Sequence, residues 1–189
     1  IPLLSTWGGI GLVEEHSENF IGRPGPLGNR SANKILLESD LIIAIGTHLR
    51  SQIIGPSGTE DLSQTKFYTV HIDQNEDFHI NLKNKKFIKE DAKVFLKKLN
   101  DSIKLDRPIK KEKWNSYCNN IKKLDEIKTE IPSMPGRVDP YELMKYVSKS
   151  FYGKCNYVVD GGGTVTQMGM QSLKASSNQN IILSNGLTL

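Results

Sequence analysis

Short apolar runs alternate with stretches of helical periodicity along this chain, and that alternation limits the folds open to it. The runs at 1–4, 41–45, 67–72, 157–159 and 181–183 are short and rich in branched side chains, as strands are. Strands that alternate with helices are typical of βα units on a parallel sheet. We therefore predict an α/β fold, in which the apolar strand at 41–45 is buried on both faces of its sheet.

Three capping residues mark where helices are predicted to begin. Ser31 precedes apolar residues at i, i+3 and i+4 spacing, and Asp91 precedes a longer amphipathic pattern whose opposite face carries lysines. Asp139 is followed by Pro140 and then, three residues after the cap, by Glu142. That combination is typical of a helix start. A further helix is predicted at 164–173, directly after the run at 157–159.

Prolines and a change in composition divide the chain. Residues 106–137 are polar and Lys-rich and contain Pro108, Pro132 and Pro135, as an interdomain linker would. Residues 1–105 then form a Rossmann-like domain with a parallel sheet, and residues 138–189 form the opening βα units of a second α/β domain. Because the chain starts at Ile1 and stops just after an apolar run, we expect both domains to be truncated.

The composition is that of a globular protein. Hydrophobic residues make up 37% and charged residues 24% of the chain, which excludes collagen-like and low-complexity classes. No apolar run approaches the roughly 18 residues of a membrane span, so we expect no membrane partner. Cys118 and Cys155 show neither disulfide nor metal-site spacing, which favours a reducing compartment and hence the cytoplasm.

One part of the chain is strongly basic. Residues 83–128 contain 15 Lys/Arg against 7 Asp/Glu, in a chain whose net charge is +4. Such a block can bind nucleic acid or an anionic surface. It lacks interleaved aromatic residues and overlaps helices with an apolar face, so we interpret it as a solvated helical surface and expect no nucleic-acid partner. A basic interaction protein with salt-sensitive binding is the alternative.

A strand followed by three glycines and a helix is the most informative local feature. Gly161, Gly162 and Gly163 follow the run at 157–159 and precede Thr164. Glycines allow close backbone approach, and the free amides at a helix start suit a phosphate group. The spacing fits neither the Walker A pattern nor the dinucleotide fingerprint, and a plain glycine-rich turn is the alternative.

The loop at 22–30 is a second glycine-rich segment that leads into a helix. It contains Gly28 and two arginines, Arg23 and Arg30, which could bind a phosphate or a carboxylate. An ordinary surface loop is the alternative.

The ends of two predicted strands supply further candidates. Gly46, Thr47 and His48 follow one strand, at the position where open α/β sheets place ligands. Asp73 follows the next strand and could bond a ribose hydroxyl, although a strand-end Asp is also a common turn residue. With Gly28, these residues form a candidate nucleotide or flavin site. No nucleophile–base motif and no HExxH metal-binding motif is present, so local spacing alone names no reaction.

Nine segments follow one another in an informative order. They are IPLLSTWG at 1–8, FIGRPG at 20–25, GNRSAN at 28–33, SDLI at 39–42, GTHL at 46–49, HID at 71–73, EDAKVFL at 90–96, VDGGGT at 159–164 and LSNGL at 183–187. The first seven resemble the central domain of the acetolactate synthase-like family of thiamine diphosphate enzymes. The last two resemble the opening of that family's diphosphate-binding domain.

The resemblance implies a cofactor site in the second domain. Family members hold the diphosphate of thiamine diphosphate with residues that correspond to Gly162, Gly163 and Thr164. The backbone segment that holds the aminopyrimidine corresponds to Asn185, Gly186, Leu187 and Thr188.

The resemblance also implies an activity and partners. It predicts a thiamine diphosphate- and Mg²⁺-dependent decarboxylase or carboligase that acts on a 2-oxo acid, a carbon–carbon lyase or transferase working as a homodimer or tetramer. The activating Glu and the magnesium ligands of the family lie in segments outside these residues. We therefore expect the 189 residues alone to be inactive.

One departure from the family pattern limits the resemblance. His48 stands where acetolactate synthases have Arg, and the acidic pair that follows in those enzymes is absent. This argues against FAD and against acetolactate synthesis itself, and favours family members that act on other 2-oxo acids or in sugar and polysaccharide pathways. The alternative is a Rossmann-like module that binds FAD, ADP or NAD without thiamine chemistry, through the loop at 22–28, His48 and Asp73.

Overall fold

The computed structural model of the chain describes residues 1–48, 51–55, 62–75, 82–105, 112–125, 135–160 and 163–183. Within these residues every strand pairing is parallel. The pairings join β1 (Leu3–Leu4) with β2 (Phe20–Gly22), β3 (Leu41–Ile45) with β4 (Lys66–His71) and then β5 (Lys85–Lys89), and β6 (Tyr157–Val159) with β7 (Ile181–Leu183). Helices alternate with these strands, so the predicted α/β class with parallel sheets is confirmed.

The helices of the described residues follow the strands in chain order. They are α1 (Arg30–Glu38), α2 (Ser51–Ile54), α3 (Ala92–Leu105), α4 (Glu112–Lys122), α5 (Pro140–Phe151) and α6 (Gly163–Ser172), with single 3₁₀ turns at Trp7–Gly9 and Lys123–Asp125. None of these helices has the length and apolar character needed to cross a membrane.

The strand β4 is the buried centre of the β3–β4–β5 sheet. Phe67 and Val70 are buried, and Phe67 lies in a core cluster with Leu62, which precedes β4 in the chain, and Leu82, which follows it. The strand β3 behaves differently, because Leu41 and Ile43 are 47% and 41% exposed. The prediction that residues 41–45 are buried on both faces is therefore wrong. The physical reason is that alternate side chains point to opposite faces of a sheet, and only the face that carries Ile42 and Ala44 packs on the described core.

The strand β5 was not predicted, because it lies inside the basic block. Its sequence is KKFIK, in which only Phe87 and Ile88 are apolar, too few for an apolar run. Parallel pairing with β4, which places Phe87 opposite Thr69 and Ile88 opposite Val70, orders this segment as a strand. The lysines of α3, in contrast, follow the prediction, since Lys93, Lys97 and Lys98 are exposed.

Two of the three predicted helix caps are confirmed. The Asp91 carboxylate accepts from the amides of Lys93 and Val94, and the Asp139 carboxylate accepts from the amide of Tyr141. The Ser31 cap is wrong, because α1 begins at Arg30, two residues before the start that a Ser31 cap implies, with Asn29 at the cap position.

The carboxylate of Asp125 takes over the capping role expected of Ser31. The Ser31 amide donates to Asp125 Oδ1 at 3.2 Å, and the Ser31 hydroxyl donates to the same carboxylate. Ser31 lies inside the first turn and does not cap its own helix. Its amide and hydroxyl bind a carboxylate from far along the chain instead. Asp125 follows α4, which itself packs on the first part of the chain through Cys118, Ile21 and Ile35. The domain bounds at 105 and 138 stay predictions.

The two ends of the described chain share a core. Ile10 packs with Met170 and Ala175, and Trp7 lies against the same cluster. A neighbouring cluster joins β6 to the surrounding helices through Tyr157, Val159 and Leu173. These contacts place the segment after α6 directly against the N-terminal residues.

Candidate functional site

The start of α6 lies at the carboxyl end of the parallel pair β6–β7. The strand β6 ends at Val159, and α6 begins at Gly163 with Thr164 as its second residue. A Cβ added at Gly169 would lie 3.4 Å from Val159 Cγ1, so α6 packs directly on β6 at this buried residue. The amides at this helix start have no intrahelical acceptors, and together with the helix dipole they suit an anion. Of the predicted diphosphate site, Gly162 lies outside the described residues.

The predicted aminopyrimidine segment falls outside the structure as described. This applies to Asn185, Gly186, Leu187 and Thr188. These assignments stay predictions.

The other end of α6 is bound by side chains of the loop at 22–30. Arg23 Nη1 donates to the carbonyl of Met170 at 2.6 Å, and Arg23 Nη2 donates to that of Leu173 at 2.9 Å. Asn29 Nδ2 donates to the carbonyl of Gln171 at 3.0 Å. The last carbonyls of a helix have no intrahelical donors, so these three hydrogen bonds cap the carboxyl end of α6.

A buried ion pair supports this cap. Arg23 Nη2 also donates to Glu15 Oε2, and the two side chains are 2% and 0% exposed. The same Glu15 oxygen accepts from the amide of Ala175 at 2.7 Å. Burial raises the pKa of the Glu15 carboxyl, although the Arg23 charge and the Ala175 amide oppose that shift. Arg23, predicted to bind a phosphate or carboxylate, thus binds a carboxylate of its own chain, whereas Arg30 is exposed at the start of α1.

Sequence reasoning missed Glu15 altogether. It lies in a polar stretch with an acidic neighbour, Glu14, and no local pattern separates the two. Only the fold shows the difference, because Glu15 is fully buried and Glu14 is exposed.

Close packing of the loop accounts for Gly28. A Cβ at this position would lie 2.2 Å from the carbonyl oxygen of Arg23 and 2.7 Å from the carbonyl carbon of Pro24. No side chain fits there, because the backbone of the loop folds back on itself, with the Asn29 amide donating to the Arg23 carbonyl at 2.8 Å. The glycine is required by the loop itself, and its role in a nucleotide site stays a prediction.

The remaining candidates gather at one edge of the β3–β4–β5 sheet. Gly46 has a positive φ of 61° and donates from its amide to the carbonyl of Val70 at 2.9 Å. The His48 ring, two residues further on, lies 5.4 Å from the ring of His71 at the end of β4. Thus Gly46, Thr47 and His48 are brought to the same edge as Asp73.

Asp73 forms a local turn at this edge. Its amide donates to His71 Nδ1 at 3.0 Å, and its carboxylate accepts from the amide of Asn75 at 2.9 Å. This arrangement matches the turn alternative, and a ribose contact stays a prediction. In the part of the chain that the structure describes, no cluster of three or more His, Cys, Asp or Glu residues could hold a metal ion.

Comparison with known proteins decides the family. Residues 1–99, just over half of the chain, match the thiamine pyrophosphate enzyme central domain. The chain belongs to the thiamine pyrophosphate enzyme family. The match covers β1 to β5 and most of α3, so the β1–β2 and β3–β4–β5 sheets belong to this central domain.

Curated relatives of this thiamine pyrophosphate family member carry one name, 3D-(3,5/4)-trihydroxycyclohexane-1,2-dione hydrolase. The chain is 35% identical to the protein of Listeria innocua over 81 residues, which are 43% of this chain and 12% of that protein. It is 31% identical to the Bacillus subtilis protein over 99 residues, 52% of this chain and 15% of that protein. The Shouchella clausii protein is 25% identical over 154 residues, 77% of this chain and 24% of that protein. The chain thus matches a quarter or less of the length of each of these relatives.

Proposed function

We propose that this chain is part of a thiamine diphosphate- and Mg²⁺-dependent enzyme that breaks or forms a carbon–carbon bond next to a carbonyl. The observation that carries the proposal is the start of α6 at the carboxyl end of the β6–β7 pair, in a chain whose first half matches the family. Such an enzyme would work in the cytoplasm, as the cysteine pattern predicts, and as a homodimer or tetramer, as the resemblance implies.

The residues present fit the diphosphate group. The amides of Gly163 and Thr164 open a ten-residue helix, and a phosphate at a helix start meets both free donors and the positive end of the dipole. Gly162 would allow close backbone approach, and the segment 185–188 would contact the aminopyrimidine. Magnesium would be held by oxygen ligands from segments outside these residues.

When bound, thiamine diphosphate supplies a nucleophilic carbon that adds to a carbonyl and an electron sink for the bond that then breaks. The residues of this chain would bind and orient the group. The helix start would hold the diphosphate, and the close contact of α6 with β6 would fix the direction in which the helix amides point. No catalytic proton transfer is assigned to a residue of this chain.

Two substrate classes share the chemistry that such a site handles. A 2-oxo acid carries a carbonyl next to a carboxylate, and it is the substrate class of the decarboxylase or carboligase hypothesis. The relatives' name specifies a trihydroxycyclohexane-1,2-dione, which carries a carbonyl next to a second carbonyl. The second candidate is therefore a hydrolase that acts on a polyhydroxylated cyclic 1,2-dione, and the relatives favour it.

The first test is cofactor binding by the full-length natural protein, measured by calorimetry with thiamine diphosphate and Mg²⁺. We expect binding that weakens about tenfold or more when thiamine replaces thiamine diphosphate, because charge-assisted hydrogen bonds to the phosphates are lost. Gly163→Val should weaken binding similarly, whereas Gly8→Ala, at a site with no atom within 4 Å, is the matched control.

Binding of FAD, ADP or NAD without any binding of thiamine diphosphate would contradict the proposed cofactor. That outcome would favour the nucleotide site at Gly28, Gly46, Thr47, His48 and Asp73. With the cofactor established, release of CO₂ from a 2-oxo acid and ring opening of a cyclic 1,2-dione, measured on the same preparation, separate the two substrate classes.

A further inference from the structure

The two ends of α6 face different partners. Its amino end carries the residues assigned to the cofactor diphosphate, Gly163 and Thr164. Its carboxyl end is held by Arg23, which donates to the carbonyls of Met170 at 2.6 Å and Leu173 at 2.9 Å. The helix is ten residues long, which corresponds to about 15 Å, and a helix of that length moves largely as one body.

We propose that Arg23 is a positioning residue that fixes α6 from its carboxyl end and thereby aims the amides at its amino end toward the cofactor diphosphate. The inference rests on the proposed function for its cofactor. The hydrogen bonds of Arg23 to the Met170 and Leu173 carbonyls, called the clamp below, are a property of the chain itself. It assigns a role to the loop at 22–30, which the family match places in the central domain.

The chemistry of Arg23 suits this role. A cation at the carboxyl end of a helix is favoured by the helix dipole, and a side chain that bonds the last carbonyls satisfies groups that the helix leaves open. The guanidinium presents several donors in a rigid fork. Here one fork reaches two backbone carbonyls and the Glu15 carboxylate at the same time, which the single ammonium group of a lysine does not match.

Glu15 extends the clamp beyond the helix. Its carboxylate accepts from Arg23 and from the Ala175 amide at 2.7 Å, so the ion pair also binds the segment that follows α6. Asn29 adds a separate contact, because its Nδ2 donates to the Gln171 carbonyl at 3.0 Å. The Gln171 side chain returns the contact by donating to the carbonyl of Leu27 at 2.8 Å.

A simpler role must be separated from positioning, namely that Arg23 only neutralises the buried Glu15. The double variant Glu15→Gln/Arg23→Met separates the two. It removes both charges, so no unpaired charge is left buried, and it also removes the donors that hold the Met170 and Leu173 carbonyls. Charge balance alone predicts that the double variant recovers what Arg23→Met loses, and positioning predicts that it does not.

The experiment compares these variants in the full-length natural protein. Thiamine diphosphate affinity is measured by calorimetry, hydrogen exchange of the α6 amides is measured without cofactor, and far-UV circular dichroism checks folding. Arg23→Lys tests whether the charge alone restores part of the affinity. Asn29→Asp keeps the acceptor for the Arg23 amide but loses the donor to the Gln171 carbonyl. It tests the attachment of the loop to α6 if the Arg23 variants fail to fold. Lys34→Met, at an exposed cation of α1, is the matched control.

We expect Arg23→Met and the double variant to bind thiamine diphosphate about tenfold more weakly and to exchange the α6 amides faster. Arg23→Lys should fall between these and the wild type, Asn29→Asp should show a smaller loss in the same direction, and Lys34→Met should match the wild type. Wild-type affinity and wild-type exchange in the double variant would overturn the inference and leave the proposed function intact. A wild type that binds no thiamine diphosphate would instead overturn the proposed function, and the inference with it.

Discussion

Glu15 and Arg23 form an ion pair that is withdrawn from water on all sides, with side chains that are 0% and 2% exposed. Within the described residues, Glu15 Oε1 and Arg23 Nε find no hydrogen-bond partner. Burying two charges costs free energy that their attraction offsets only in part. The intact pair therefore adds little net free energy of unfolding, whereas removal of one partner leaves a buried charge without a counter-ion.

Glu15→Ala should destabilise the protein by about 3–5 kcal/mol, because it leaves the Arg23 charge buried without a counter-ion. Urea unfolding followed by circular dichroism measures the change in the free energy of unfolding. Lys145→Ala is the control, since it removes an exposed ion pair with Glu142 and should cost no more than about 1 kcal/mol. Equal effects of the two substitutions would contradict a buried, coupled pair.

Gly28→Ala should lower the melting temperature, because the added Cβ would lie 2.2 Å from the Arg23 carbonyl oxygen. Overpacking of this kind costs about 1–3 kcal/mol. Each kcal/mol lowers the melting temperature of a chain of this size by roughly 2–4 °C. Gly8→Ala, with no atom within 4 Å of the new Cβ, should melt close to the wild type. A melting temperature of Gly28→Ala within about 1 °C of the wild type would show that the loop adapts and that close packing does not explain this glycine.

Asp125→Ala should destabilise the protein by about 0.5–2 kcal/mol, the usual worth of a helix cap, because Asp125 accepts from the amide and hydroxyl of Ser31 in the first turn of α1. Lys123→Ala, at an exposed position two residues earlier, is the control. Urea unfolding measures the free energy of unfolding of the wild type and of the two variants. If both variants unfold like the wild type, the 3₁₀ turn at Lys123–Asp125 contributes nothing to α1 and behaves as a plain linker.

Local sequence patterns predicted the α/β class and most strands, because strand identity here follows from short apolar runs. They failed where the stabilising contact comes from far along the chain. Asp125 caps a helix 94 residues earlier, and Arg23 caps one about 150 residues later, so neither role leaves a trace in its own neighbourhood. The strand β5 was missed for the same reason, since pairing with β4 and not its own composition orders it.

The candidate site was predictable only through the resemblance. The glycine turn indicated a phosphate site, but a turn of this kind is common, and the family order of segments supplied the cofactor. The family match over residues 1–99 confirms the family. The substrate is not predictable from these residues, because the fold of the central domain is shared by enzymes that act on different carbonyl compounds.

The two cysteines should react with a thiol reagent at very different rates. Cys118 is buried in the cluster with Ile21 and Ile35, and burial raises the pKa of its thiol, whereas Cys155 is exposed. Because the thiolate is the reacting form, native protein should show one fast and one slow thiol with Ellman's reagent. Cys155→Ser should abolish the fast phase, and Cys118→Ser should leave it unchanged. Loss of the fast phase in Cys118→Ser instead would contradict the packing of α4 against α1.

His16 should make the protein less stable in mild acid. Its ring lies edge-on to Tyr152 with centroids 4.2 Å apart, and partial burial, with further contributions from Lys174 and Lys122 against an opposing one from Glu14, lowers the pKa of His16. The unfolded chain, with a pKa of about 6.5, then binds a proton that the folded chain does not. Stability from this group is therefore complete above about pH 6.5 and is lost as the pH falls through the lowered folded value.

His16→Phe isolates this effect, because it keeps a ring against Tyr152 and removes the titrating group. Melting temperatures of the wild type and the variant are compared at pH 7.5 and pH 5.5, so that the acid response of all other groups cancels in the difference. We expect the wild type to lose more stability than His16→Phe between the two pH values. An equal loss in the two proteins, or a smaller loss in the wild type, would mean that His16 is protonated at least as readily in the folded protein as in the unfolded chain.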